Sequence, residues 1–191
     1  MKICVKKSRN SGVKRAFAIL LVVVSMAAVW PEGQPFAQQA PPPNSLDAVP
    51  DALPFNIPYG PPISASLAKH ILDAAQAIAT QRGWPSNIAI VDSGHNLVSF
   101  TRMDGAQTAS IDVAIHKARA AVAFRRPTKV FEDAIQKSDL RYLSTIDGVI
   151  ASRGGIPIVI DGKIVGGVGC SGGTGSQDEL ICASALSAST K

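Results

Sequence analysis

Apolar positions along the chain fall into blocks of two different periods. From Ser64 to Gly83 they recur at helical spacing, with Leu67, Ile71, Ala74 or Ala75 and Ile78 on one face. Ser64 or Ser66 is placed to cap this helix and Gly83 to end it. Asn87–Asp92 is a short apolar run and Leu97–Arg102 alternates, so Ser93-Gly94-His95-Asn96 between them predicts a hairpin. After the tight loop Met103-Asp104-Gly105-Ala106, helical spacing returns over 109–124, with Ile111, Ala114 or Ile115, Ala118 and Val122 facing inwards. Arg125-Arg126-Pro127 breaks that helix, and Thr128 starts a shorter one to about Lys137. A less regular stretch, 138–153, leads to Ile156–Ile160. The turn pair Asp161-Gly162 then returns the chain as Lys163–Cys170. Ser176 and Glu179 have the spacing of a capping box for a last helix reaching about Ser187. The predicted order is helix, hairpin, helix, helix, hairpin, helix. Hairpins joined through helices give an α+β fold with an antiparallel sheet.

Upstream of this domain, assigned to residues 64–191, the pattern changes. Residues 31–63 carry ten prolines, a density that excludes a helix and marks a linker or an extended arm lying on the domain or on a neighbouring subunit. Residues 1–30 pair a basic stretch with the apolar run Ala16–Trp30, too short for a membrane span of roughly 20 residues. That anatomy predicts a signal peptide, with cleavage between residues 27 and 40 or an uncleaved anchor, and a periplasmic or secreted product. Charge then needs correcting for it. Six of the 19 Lys and Arg residues precede residue 16, leaving 13 against 14 acidic residues. The basic pI belongs to the leader, and the nearly neutral body gives no footprint for nucleic acid. Contact with a membrane is expected only through the N-terminal segment. Cys170 and Cys182 could form one disulfide in an oxidising compartment; we favour two buried free thiols, the commoner fate of unpaired cysteine.

Candidate chemistry gathers in two places. Gly166–Ser176 runs from strand through a glycine-rich turn to a helix start, where free N–H groups around Ser171, Gly172 and Gly173 suit an anion. Asp178 and Glu179 follow at once, compensate the dipole and would repel a second anion, so a purely structural turn is the competing reading. The glycines within the strand imply close approach of another group. Arg102 and Asp104 flank a tight loop opposite the helix that bears Lys117, and could hold a ligand carboxylate or pair internally, as Arg102–Asp104 or Asp112–Lys117. His95 in the hairpin turn and His116 on the second long helix are candidate haem ligands. No histidine pair is spaced for zinc and there is no haem-attachment motif. Catalytic residues are not identifiable from these patterns.

The strings IAIVDSGHNLVSFTRMDGA, HKARAAVAF with a following PT, and GGIPIVIDGKIVGGVGCSGGTGSQDE resemble the GlcG/HbpS-like family, the haem-degrading or DUF336-type domain, over about residues 66–187. The resemblance implies a profilin-like sheet flanked by helices, assembly into a homo-oligomer, and haem or another tetrapyrrole as cofactor, for sequestration, sensing or degradation. The alternatives are an enzyme or accessory protein acting on a small organic acid, as in glycolate utilisation, and a non-catalytic partner of a membrane sensor.

Overall fold

A computed structural model describes residues 49–189, so the leader and its cleavage region lie outside the described residues. The elements are α1 (Ala65–Arg82), β1 (Asn87–Asp92), β2 (Leu97–Arg102), α2 (Ser110–Ala123), α3 (Lys129–Lys137), a 3-10 turn (Arg141–Thr145), β3 (Gly155–Ile160), β4 (Lys163–Ser171) and α4 (Gly175–Ser189). The α+β class and the order of elements are those the pattern predicts, with the 3-10 turn added inside 138–153. Local signals act as expected in α1: the Ser64 hydroxyl accepts from Leu67 N at 3.2 Å and Gly83 closes the helix in the left-handed region. Asp161 and Gly162 both take positive φ, as a two-residue hairpin turn requires.

The sheet order is β2-β1-β4-β3, with every neighbouring pair antiparallel. Ile88 and Ile90 of β1 and Val168 and Cys170 of β4 point to one face, where they meet Ile71, Leu72 and Ala75 of α1 and Ile181 and Ala185 of α4. Ala89 and Val91 point to the other face, against Ala114, Ala118 and Val122 of α2. Two helix layers thus sandwich the sheet. Among the described residues no helix is long and apolar enough to cross a membrane.

The group that approaches the glycine-rich strand is the backbone of α2. A Cβ at Gly169 would lie 2.0 Å from the Ala114 carbonyl oxygen, one at Gly155 2.3 Å from that of Lys117, and one at Gly167 2.6 Å from that of Ala118. Any side chain at these positions would lift the helix off the sheet.

The arm lies on its own domain from Pro58 to Ile63. Strand β1 ends at Asp92, opposite Gly166 of β4, and beyond that point the arm takes its place. Pro58 O accepts from Ile164 N at 2.8 Å, Gly60 N donates to Ile164 O at 2.8 Å, and Ile63 N donates to Val165 O at 2.9 Å. The Tyr59 hydroxyl reaches the Val122 and Ala123 carbonyls at 3.0 and 3.1 Å, serving the open C-terminal end of α2.

Two sequence expectations need correction. Cys170 and Cys182 are fully buried, as expected, but joined in a disulfide, with Cα atoms 5.9 Å apart. Strand β4 and helix α4 pack face to face, so two buried cysteines 12 residues apart come within bonding reach. The capping box sits two residues earlier than predicted. Thr174 N donates to Gln177 Oε1 at 2.8 Å and Gln177 N reaches Thr174 Oγ1 at 3.4 Å, because the helix begins at Gly175. Thr128 begins α3 without capping it: its hydroxyl donates to Ser152 O and accepts from Gly155 N, clamping α3 to the start of β3.

Replacing Gly169 by alanine is expected to cost about 3 kcal/mol or more, because the obstructing atom is backbone. Replacing both Cys170 and Cys182 by alanine should cost about 3 kcal/mol through the closed loop's entropy. Urea denaturation of each variant measures both, and added reductant should destabilise the wild type alone.

Candidate functional site

Because α2 lies so close to β3 and β4, Lys117 has no room to extend outward over the sheet. Its side chain passes the sheet's end, where Nζ donates to Asp178 Oδ2 at 2.8 Å and to Cys170 O at 3.1 Å. Both partners of this ion pair are enclosed, with side chains 1% and 3% exposed. Gly154 makes the space: its φ of 110° suits glycine, and a Cβ there would meet the Asp178 Cβ at 2.8 Å. The internal partner of Lys117 is therefore Asp178, 61 residues away, and not Asp112.

Asp178 also fills the glycine-rich turn. Its Oδ1 accepts from Gly173 N at 3.1 Å, while Gln177 takes the Thr174 N–H. The positive helix start is thus met by the chain's own carboxylate. Glu179 turns away to Arg153 at 3.3 Å, and Arg153 in turn binds Glu132 Oε1 at 2.8 Å, tying α3 to α4. Ser171 is buried at the end of β4, and Gly172 follows against the Pro85 carbonyl. Arg102 and Asp104 are exposed and make no ion pair with one another.

The hairpin turn between β1 and β2 is built differently. Asp92 Oδ1 accepts from Gly94 N at 2.8 Å and Asn96 N at 2.9 Å, and the Asn96 amide also reaches the carboxylate. Burial alone would raise the Asp92 pKa; the Asn96 and Gly94 bonds, aided by nearby His95, outweigh it and hold the carboxyl below its usual value. His95 sits in the left-handed region at φ 69°, and Arg119 Nε of α2 donates to its carbonyl at 3.2 Å. This imidazole is half-buried and makes no side-chain hydrogen bond among the described residues, whereas His116 Nε2 lies 3.2 Å from Gly148 O. Between β2 and α2 the surface beside His95 is apolar. Phe100 and Ile115 are half-buried there, and Leu97, paired with Val91, is 45% exposed.

The structure therefore separates what the sequence grouped. Lys117, Ser171, Gly172, Gly173, Asp178, Arg102 and Asp104 lie towards one end of the sheet, and His95 towards the other. Arg102 and Leu97 are the two ends of β2, about 17 Å of strand apart. That Arg119 and Asp92 brace the turn of His95 emerges only once the fold places them. The signal for Asp92 was present in the Asp-x-Gly-x-Asn spacing, a turn pattern in which aspartate binds backbone N–H groups ahead of it. Among the described residues no group of three His, Cys, Asp or Glu side chains could hold a metal ion.

Asp178→Asn leaves a buried ammonium without its counter-charge and should cost about 3–5 kcal/mol in chemical denaturation; converting Lys117 and Asp178 together to Met and Leu should recover much of it. The lowered Asp92 pKa means the turn's carboxylate bonds contribute fully above the usual aspartate value of 3.8 and are lost as pH falls through the lower folded-state value. Amide exchange at Gly94 and Asn96 should accelerate across that acid range, and Asp92→Ala should show the fast rate already at neutral pH.

Comparison with known proteins places this architecture. The chain is 35% identical over 127 residues to a 15.0 kDa protein of the dhaT–dhaS intergenic region of Citrobacter freundii, covering 65% of this chain and 89% of that one. It is 33% identical over 109 residues to protein GlcG of Escherichia coli, covering 57% and 81%. Among solved structures, the PduOC–haem complex aligns with a TM-score of 0.61 at 28% identity, covering 68% of this chain and 99% of that one. A double mutant of Streptomyces reticuli HbpS aligns at 0.63 and 27%, covering 74% and 97%. A family model for haem-degrading HbpS-like proteins matches residues 63–187, most of the folded domain. The chain belongs to the HbpS-like family.

Proposed function

We propose that this chain is an exported haem-binding protein in which His95 supplies the axial ligand. The observation that carries the reading is the braced turn: Asp92 and Arg119 fix the backbone on both sides of an imidazole that makes no hydrogen bond among the described residues. Histidine is a usual axial ligand of haem iron. The residues around it fit the rest of the group. Leu97, Phe100 and Ile115 offer apolar surface for a macrocycle, and Arg119 a cation for a propionate. Haem would supply the iron and its redox chemistry; the protein would bind and orient it. Arg102, at the far end of β2, is too distant to hold a propionate of a haem ligated by His95, and Lys117 is already neutralised by Asp178. A haem-complexed relative at 28% identity supports the ligand class.

Export rests on two independent features, the basic-then-apolar leader and the disulfide between Cys170 and Cys182, a bond that persists in oxidising compartments. Self-assembly is the state we expect from the family likeness, and sedimentation of the purified protein measures it.

Titrating haemin into the purified full-length chain should produce a Soret band that saturates at one haem per chain. His95→Ala should shift that band and weaken binding by about tenfold or more, while His116→Ala should leave the spectrum unchanged. Absence of a saturable band would sink the haem reading; an unaltered band in His95→Ala would move the ligand elsewhere.

A further inference from the structure

Just past the end of α2, two adjacent arginines meet the arm. Arg125 lies over the Tyr59 ring, 5.8 Å from its centroid, and Arg126 over the Phe55 ring at 3.7 Å. Phe131 of α3 lies 5.6 Å from the Arg126 guanidinium as well, which therefore touches one ring from the arm and one from the domain. Contact through the flat face fixes the plane of a guanidinium and leaves its rim of N–H groups for other partners. The backbone is held to the same end. Arg125 takes φ 55° and Phe55 φ 61°, a left-handed conformation that costs a bulky residue about 1–3 kcal/mol and persists only where its surroundings demand it.

Neither arginine has an anion among the described residues. Arg125 makes no side-chain hydrogen bond or ion pair there, and Arg126 makes one hydrogen bond, donating from Nε to the Phe124 carbonyl at 2.9 Å. The terminal nitrogens of both are left without an acceptor there. The nearest acids in sequence, Glu132 and Asp133 of α3, are taken by Arg153, Lys129 and Lys137. The last carbonyls of α2 do not require the cations either, because the Tyr59 hydroxyl serves those of Val122 and Ala123. Both arginines are half-buried. Burial, and then the like charge of Arg125, push the Arg126 pKa down, as befits a guanidinium desolvated beside another cation.

We propose that Arg125 and Arg126 form a binding site for a phosphate group. The two oxygens of a carboxylate satisfy one fork of N–H donors. Two forks side by side need more acceptors and more negative charge, and a tetrahedral phosphate offers both. The arm belongs to the site, because its Phe55 and Tyr59 rings hold the two guanidinium planes. Two sources carry the group, a small phosphate in solution and the headgroup of a phospholipid, and the exposed Val49 and Leu53 upstream on the same arm suit the second. The site uses none of the residues assigned to haem.

The purified full-length chain, in chloride buffer, is titrated with inorganic phosphate, with acetate at matched ionic strength, and with dihexanoylphosphatidylglycerol below its micelle concentration. The Nε–H signals of Arg125 and Arg126 are followed by NMR, which separates this site from the basic leader. Inorganic phosphate or the lipid should shift both signals saturably and bind at least about tenfold more tightly than acetate. Which of the two does so names the source. Arg126→Lys keeps the charge and loses the fork, and should weaken binding by about tenfold. Phe55→Leu keeps both arginines and removes the arm's ring, and should weaken it by about threefold. Sheet amide signals that match the wild type show that each variant is folded. Arginine signals unmoved by both phosphates, acetate binding as tightly as phosphate, or wild-type affinity in either variant would each overturn the proposal.

Discussion

Helix α2 rests on the sheet with almost no side chain between them, and most of the structure's special features follow from that contact. Glycines at 155, 167 and 169 leave the floor bare, and alanines at 114 and 118 do the same for the helix. Such proximity gives dense packing and leaves little apolar volume to bury. It also dictates where the lysine on the helix's inner face must go. Lys117 exits around the sheet's end, and the cost of desolvating its ammonium is met by Asp178 and the Cys170 carbonyl. The disulfide joins that same β4 residue to α4, so a covalent bond and an ion pair converge on one peptide unit.

Much of this was legible from residue order alone. The strand limits of β1 and β2, the Asp161-Gly162 turn and both ends of α1 obey short-range rules, in which each residue's role depends on neighbours a few positions away. The glycines of β4 also announced themselves as a place of close approach. What approached was not legible, because nothing in the strand says which helix covers it. Lys117 and Asp178 illustrate the same limit: their pairing is set by two elements packed on opposite faces of the sheet. The cysteines mislead differently. Burial was read correctly, yet burial is common to free and bonded cysteines, and only the distance between β4 and α4 separates the cases.

Candidate-site residues fared unevenly for the same reason. His95 stands out because a hairpin turn can be recognised in sequence, and Asp92 and Asn96 belong to the same local pattern. Arg102 and Lys117, grouped by their charge, prove to have opposite environments: one exposed and without an ion pair among the described residues, the other enclosed and neutralised. Charge alone does not distinguish a ligand-binding cation from a structural one. Burial and partner do.

The arm that replaces β1 beside the first residues of β4 has a mechanical meaning. It runs parallel to β4 and is attached through three backbone hydrogen bonds and the Tyr59 hydroxyl. A pull on the chain upstream of Pro58, whether from a tether or from passage across a membrane, reaches these bonds before any hairpin. None of these bonds belongs to either hairpin or to the disulfide, so the arm is a separate layer of attachment laid over a sheet that is already paired.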